Sequence, residues 1–475
     1  MITPIGILFT ILSIYVCIRG RAVLENLIIL NVITELFLSK GYVFSIGERQ
    51  IYYWVIPQTL IFVYCFIKFL ENQFKLTGWW WILIFSYFIP LLLLMLFPSD
   101  ILIASNAKIS WDNILLYGEK PVHPSITSDV IGGTRIFVQS AFVLYFVYCK
   151  YKWEQYSRLI RKLSKLVNFF LFMGIIEFFV KIGGYNEQWG ALFEFLLGKS
   201  GASAFEGRIR GDLIELNLFA REASYWAYTL FYCVMIKFAI NKLNGNENIV
   251  SISVFVCVFL MLVSTAFSAL FYIFLIIIML IVYRWIIIRP KSMLLEKVTL
   301  FTLLIMLPTT VYFFLSNYLD NTISFRIQYI VNNLEDLLLS DWKSINIDVG
   351  VYGASSTICR LISIIETFKA FLLRPVFGYG LNSMHCHGGT LLLFSGIGIF
   401  GVWRWMIFSY EKVPFKNYAK PVNKGYVMGI ICYLLANSIN SQGLMPFSGI
   451  SCFVFTICIL ILFSNKFGRK YENSI

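Results

Sequence analysis

The stretch SALFYIFLIIIMLIVYRWIIIRPK, Ser268 to Lys291, decides the fold class. Between 268 and 288 it holds one charged residue, Arg284. A helix needs about 20 mostly apolar residues to cross a hydrocarbon core of roughly 30 Å. Backbone N–H and C=O groups in lipid must be satisfied within their own segment, so such a run is a helix. It is continuous rather than alternating in polarity, which argues against a strand of a membrane β-barrel. Arg284, Arg289 and Lys291 gather at its C-terminal end, where they would anchor a cytoplasmic loop.

The same pattern recurs along the 475 residues, of which 59% are hydrophobic and 14% charged, with a mean hydropathy of +0.75. Soluble domains carry about 25% charged residues. Apolar runs fall at 2–18, 25–45, 51–70, 78–97, 132–149, 161–183, 222–241, 249–265, 268–288, 298–316, 387–408, 425–443 and 446–465. The expected fold is therefore all-α: one polytopic membrane domain over residues 1–475, with about 12–13 transmembrane helices. The N-terminus shows no basic segment followed by a small-residue cleavage site, so residues 1–17 read as a retained span. The net charge of +13 would suggest nucleic acid in a soluble protein. Here basic loop anchors account for it, and no nucleic-acid partner is expected.

The anchors set the sidedness. Arg19, Arg21, Lys68, Lys75, the Lys150–Lys165 cluster, Lys237, Lys242, Arg284–Lys297, Arg404–Lys424 and Lys466–Lys470 share one face, which is cytoplasmic by the positive-inside rule. The opposite face carries three long loops, 98–131, 184–221 and 317–386. The third is too long for a simple connector. It contains RIQYIVNNLEDLLLSDW (326–342), with apolar residues at helical spacing, and such a helix would lie on a membrane surface. It also contains RLISIIETFKAFLLRP (360–375), a helix ended by Pro375. In that helix Arg360, Ser363, Thr367 and Arg374 lie within about 60° of one another at 100° per residue.

Topology needs no arginines on this face, yet Arg208, Arg210 and Arg221 occupy the second loop, and Arg326, Arg360 and Arg374 the third. A guanidinium matches phosphate oxygens bidentately and stays charged at any relevant pH. The two clusters point to an anionic, phosphorylated ligand at the membrane–water boundary; the plainer reading pairs them with Glu206, Asp212, Glu215, Glu222, Glu335 and Glu366. His387 stands at the start of a span beside Gly378, Gly380, Gly388 and Gly389. Its imidazole titrates near neutrality and can take a proton from a hydroxyl; a merely interfacial histidine is the alternative. Cys359, His385, Cys386 and His387 offer metal-binding side chains without the usual paired spacing, so no metal is expected. A Cys359–Cys386 disulfide would require an oxidising compartment. Trp111, Trp189 and Trp342 could stack on sugars or sit in an interfacial belt. Asn437, Asn440 and Gln442 could bond hydroxyls or form a polar turn. A transporter would carry ionisable residues within its spans; Glu25, Glu35 and Glu177 are the few candidates, each near a span end.

The segment from Arg360 to Asn382, then His387, Gly398 and Gly401, resembles the C-terminal signature of the bacterial O-antigen polymerase and ligase superfamily. That signature is an arginine, an aromatic-rich amphipathic helix, Pro-x-x-Gly-x-Gly, a His-Asn and a Gly-x-x-Gly inside the next span. Arg208, Arg210 and REASY (221–225) are similar to the family's arginine loop, and STAFS (264–268) to its Ser-Arg-Ser turn. Gly388 stands where the family has Asn, Ala223 where it has Pro, and Phe267 where it has Arg.

The resemblance implies a glycosyltransferase-C-like enzyme of the bacterial inner membrane, with its active site facing the periplasm. It would polymerise undecaprenyl-diphosphate-linked oligosaccharide units into O-antigen or a related surface polysaccharide, with no metal or other cofactor. Arg208, Arg210, Arg221 and Arg360 would hold the donor diphosphate. His387 would orient or deprotonate the acceptor hydroxyl, with Glu222 as a reserve base. Arg374, about 21 Å from Arg360 along a helix, would steady the second lipid carrier or snorkel at the interface. Donor and acceptor lipids, the bilayer, a chain-length regulator and a flippase are the partners this implies. Two alternatives remain: an O-antigen ligase passing polymer to lipid A core, and a polysaccharide-lipid transporter.

Overall fold

One helix, Ala223–Leu243, lies at the centre of the described elements. In the computed structural model, residues 3–20, 22–38, 42–46, 49–71, 84, 88–97, 107–109, 115–117, 142, 153–197, 209–210, 213–214, 216–220, 223–246, 249–264, 266–288, 354–381, 383, 386, 388–411, 423–439 and 450–464 are described. Their elements, in chain order, are α1 (Pro4–Arg19), α2 (Val23–Val32) running into a π-type turn (Ile33–Phe37), β1 (Tyr42–Ile46), β2 (Arg49–Tyr52), α3 (Val55–Leu70), α4 (Ile89–Leu96), β3 (Ala107–Ile109) and β4 (Leu115–Tyr117). There follow α5 (Trp153–Ile182), α6 (Asn186–Leu197), β5 (Ile209–Arg210), β6 (Leu213–Ile214), α7 (Ala223–Leu243), α8 (Ile252–Val263) and α9 (Phe267–Tyr283) with a second π-type turn (Arg284–Ile288). The last four are α10 (Ala354–Leu373), α11 (Gly389–Glu411), α12 (Asn423–Ser438) and α13 (Ile450–Leu462).

The described structure is mostly helical. Three helical stretches, Glu154–Ile182, Ala223–Leu243 and Ser268–Ile287, are long and apolar enough to cross a membrane; Pro4–Arg19, Val55–Leu70, Ile252–Val263, Gly389–Arg404 and Cys452–Leu462 are shorter apolar helices. Each falls within or closely overlaps one of the expected runs. The expected spans at 132–149 (apart from Phe142) and 298–316 and the loop helix at 326–342 lie outside the described residues; the run at 78–97 is described chiefly as α4.

Two expected boundaries move: α5 begins at Trp153, eight residues ahead of the run drawn at 161–183, and a second shift lies near the N-terminus. The run drawn at 25–45 leaves the helix at Phe37 and ends in β1, which pairs antiparallel with β2 from Tyr42↔Tyr52 to Ile46↔Arg49, so the next helix begins at Val55. Tyr42, Val43, Phe44 and Ile46 keep the hydropathy high, but aromatic and β-branched residues also favour strands. Two further two-stranded hairpins, β3–β4 and β5–β6, fall in the expected loops.

Between Ala223 and Ala239 every residue of α7 except Ser224 is buried. A helix covered on all sides belongs in the interior of a bundle, and α5, α8, α9 and α13 pack around it. Phe231 stacks with Tyr272 of α9 (5.6 Å) and Phe455 of α13 (5.8 Å). On the outside, α1 exposes Ile7, Leu8, Ile11 and Ile18, an apolar face of the kind that suits lipid.

Buried charges are placed where side chains can answer them. Glu25, at the start of α2, takes Arg158 (3.0 Å) and Lys162 (2.6 Å) of α5. Lys237 of α7 donates to the Ser164 carbonyl and hydroxyl (both 2.9 Å) and to Asn168 Oδ1 (2.7 Å), binding α7 to α5. At the other end of the bundle the Thr3 hydroxyl donates to the Tyr42 carbonyl (2.6 Å), and the Tyr53 hydroxyl to that of Leu197 (3.2 Å).

α12 approaches α13 through Gly425 and Gly429, the small-x-x-x-small spacing that lets helices pack closely in membranes. A Cβ at Gly429 would meet Ile459 Cγ2 at 2.5 Å. Gly429→Ala should cost roughly 1–3 kcal/mol through overpacking. Ile459→Ala in the same chain removes the clash, so thermal unfolding midpoints in detergent should show the pair costing less than the sum of the single changes.

Candidate functional site

The arginine-bearing loop between α6 and α7 is anchored from below. Glu177, on α5, is fully buried; its Oε1 accepts the Asn217 N–H (3.1 Å) and its Oε2 the Leu218 N–H (2.8 Å). Two successive backbone N–H groups curled around an anion form a nest, and Leu218 adopts a left-handed φ of 45° to make it. Lys181, one turn along α5 and equally buried, balances the carboxylate (2.8 Å) and donates to Asn217 Oδ1 (3.0 Å). Residues 216–220 are therefore fixed on α5, with hairpin β5–β6 just before them and the first turn of α7 just after. Glu177 is the anchor of this loop, a role hidden from sequence because its partners are backbone groups 40 and 41 residues away.

The second part of the site lies where α10 and α11 meet. α11 is broken at Gly398 (φ 66°, ψ −179°). The turn after α10, residues 374–381, fits into the break. Tyr379 N–H donates to the Ser395 carbonyl and Gly380 N–H to that of Gly396 (both 2.8 Å). In return Ile399 N–H donates to the Pro375 carbonyl (2.8 Å) and Phe400 N–H to that of Val376 (3.2 Å). The approach leaves no room for side chains: a Cβ at Gly378 would meet the Ser395 carbonyl at 2.5 Å, and one at Gly398 would collide with the Val376 carbonyl. Both residues also have a left-handed φ, +68° and +66°, which glycine alone adopts without strain. The Pro-x-x-Gly-x-Gly pattern and the Gly at 398 are thus two halves of one backbone joint.

This joint sets the positions of the predicted residues. Arg374 stacks on the Tyr379 ring (4.6 Å) and donates to the Phe97 carbonyl at the end of α4. Fourteen residues back, Arg360 lies in the first half of α10; its side chain, that of Arg210 on β5, and all of Arg208, Arg221, Glu222, His385 and His387 lie outside the described residues. Their neighbours are placed. Cys386, on one side of His387, is a buried free thiol with Ser363 and Thr367 of α10 as neighbours, and its Sγ accepts the Gly388 N–H (3.2 Å). The disulfide considered from the sequence is therefore not formed at Cys386. Burial pushes this thiol's pKa up, with the Thr367, Gly388 and Ser363 hydrogen bonds acting the other way. On the other side, a Cβ at Gly388 would lie 3.6 Å from Ile364 Cγ1 and 2.6 Å from the Ser438 carbonyl. The turn of α10 that follows Arg360 therefore packs against the residues flanking His387.

The two parts lie at the same end of the bundle. Tyr228, in the second turn of α7, has Asn437 of α12 for a neighbour, and the next residue of α12, Ser438, touches Gly388. Asn437 is buried and donates to the Tyr433 carbonyl (2.8 Å). Trp189 is buried against Phe193 (4.6 Å), so its ring is not presented to a ligand; Trp111, Trp342, Asn440 and Gln442 lie outside the described residues. Among the described residues, no three His, Cys, Asp or Glu side chains converge as a metal site.

Sequence and fold comparisons leave the chain on its own: no protein-family model, no curated protein and no solved structure matches it.

Removing one partner of a buried ion pair costs about 3–5 kcal/mol, because the other charge is left unanswered. Lys181→Met should lower the thermal unfolding midpoint accordingly. Adding Glu177→Gln to Lys181→Met should recover part of the loss, since the amide still presents a carbonyl oxygen to the nest. A double variant as unstable as Lys181→Met alone would contradict the clamp.

Proposed function

We propose that the chain is a membrane glycosyltransferase that polymerises undecaprenyl-diphosphate-linked repeat units into a bacterial surface polysaccharide. On this reading it is a polytopic, glycosyltransferase-C-like protein of the inner membrane, with some 12–13 spans. The end of the bundle bearing residues 216–220 and 386–388 faces the periplasm.

The observation that carries the reading is the convergence of backbone around the chemistry-bearing positions. The loop leading to Arg221 and Glu222 is clamped on α5 by Glu177, and the residues flanking His387 rest on the turn of α10 that follows Arg360. Guanidinium groups at 208, 210, 221 and 360 neutralise the donor diphosphate, which then leaves without a metal ion. His387 takes the proton of the acceptor hydroxyl as its oxygen attacks the anomeric carbon. The new glycosidic bond forms while the carbon–oxygen bond to the diphosphate breaks, and undecaprenyl diphosphate departs. Glu222 stands in reserve as base.

Arg374 is given a different part. Its guanidinium is engaged by Tyr379 and the Phe97 carbonyl, which favours holding the joint over gripping a second carrier.

Deleting the gene should leave single repeat units on the lipid core; polymer stranded on its carrier with nothing on the core would make the protein a ligase instead. Arg360→Ala and His387→Ala should each abolish polymer on a glycan gel while membrane fractions retain the protein. Normal chain lengths in both variants would overturn the assignment.

A further inference from the structure

α10 belongs to the long loop 317–386 in the sequence; it packs along α11 as a helix beside a span does, and also against β3. α11 begins level with the end of α12: Thr390 donates to the Leu434 carbonyl, and Gly388 rests on that of Ser438. From this level α10 and α11 run side by side in the same direction. Ile364 lies against Gly388, Phe371 against Phe394 (5.7 Å), and Pro375 and Val376 bond to Ile399 and Phe400. Ten residues separate Gly388 from Gly398, about 15 Å of helix, which is half of a hydrocarbon core of roughly 30 Å.

We propose that α10 and the turn 374–381 form a re-entrant element that dips into the half of the bilayer at the 386–388 end, with Phe368, Leu372, Leu373 and Val376 against lipid acyl chains. The inference goes beyond the catalytic reading and needs α11 to be a membrane helix whose Gly388 end lies at the bilayer boundary.

Three observations carry it. The first is apolar continuity. Phe368, Leu372, Leu373 and Val376 are 41–62% exposed, and their surface runs on into exposed Ile399, Phe400 and Trp403 of α11. A contiguous apolar face of this kind suits acyl chains rather than water.

The second is the state of the backbone. Irregular chain is tolerated at membrane depth only where its polar groups are covered by protein. Gly378, Tyr379, Gly380 and Leu381 are buried, and the turn and the break in α11 meet each other's hydrogen-bonding needs through the four bonds described above. Buried backbone needs partners in any medium; in lipid no water can stand in for a missing one.

The third is the handling of charge. Side chains on a helix lean toward its N-terminus, so Lys369 reaches back to Glu366 (3.5 Å), toward the shallow end. Arg374, at the end of α10, lies on the Tyr379 ring and on the Phe97 carbonyl at the end of α4. Charges inside a membrane are expected to be occupied in this way.

The test places a nitroxide on single cysteines, Phe368→Cys, Leu372→Cys, Leu373→Cys and Val376→Cys, with Glu366→Cys as the shallow reference. The full chain is used, reconstituted in phospholipid vesicles, and the signal from its native cysteines is measured on the unsubstituted protein and subtracted. All four apolar positions are exposed, so the substitutions leave packing intact. Power saturation should show collisions with oxygen exceeding those with a water-soluble nickel chelate at 372, 373 and 376. The excess should grow from 368 to 373, over about 7.5 Å of helix, and persist at 376 in the turn. Nickel exceeding oxygen at 372 and 373 would put the helix in water. Weak collisions with both would mean that protein, not lipid, covers the face. Either result overturns the proposal. Since the readout is collision frequency, it stands or falls separately from polymer synthesis.

Discussion

A chain this poor in charge has little water to rely on, so its polar groups must find one another. Each notable feature of the structure answers that constraint. Helices satisfy their own backbone. Glu25 is answered by two cations and Lys237 by three oxygens. The Glu177 carboxylate is shared between an ammonium and two amides. Where α11 gives up its own hydrogen bonds at Gly398, another piece of chain supplies replacements. In water any of these could be exchanged for solvent at little cost. In a low-dielectric interior an unmade bond of this kind costs about 1–3 kcal/mol and an unpaired charge more.

The same constraint explains what could be read from sequence. Hydropathy found α5, α7 and α9 because a long apolar run has only one economical conformation in lipid. It missed β1 because Tyr42, Val43, Phe44 and Ile46 are as apolar as a helix, and it measures nothing of backbone conformation. It missed the α12–α13 contact, although the Gly425–Gly429 spacing was open to view; that spacing tells which face packs, which average hydropathy discards. The candidate site was legible as a set of residue types. Arginines and a histidine away from the basic anchors stand out in any such sequence. Which of them are already engaged was not legible: Arg374 meets Phe97 across 277 positions, and Glu177 acts through backbone. From sequence alone the glycines of Pro-x-x-Gly-x-Gly offer room for a close approach without telling what approaches. At Gly378 the room is taken by the chain itself.

The two halves of the candidate site are built differently. Residues 216–220 are held by an ion pair in the bundle wall, whereas the 374–398 joint is held chiefly by backbone hydrogen bonds. A side-chain clamp can be tuned by substitution; a glycine joint tolerates almost none, because any Cβ at 378 or 398 enters occupied space.

Lys237 has a consequence for how the protein is made. Its ligands, Ser164 and Asn168, lie 73 and 69 residues upstream. A ribosome delivers α5 before α7, so when the ammonium leaves the translocation channel its oxygen ligands are already resident. Reversing the order of those two segments would ask the bilayer to accept a bare cation first. For this cation, unlike Glu25, whose partners Arg158 and Lys162 are made later, synthesis supplies the ligands first.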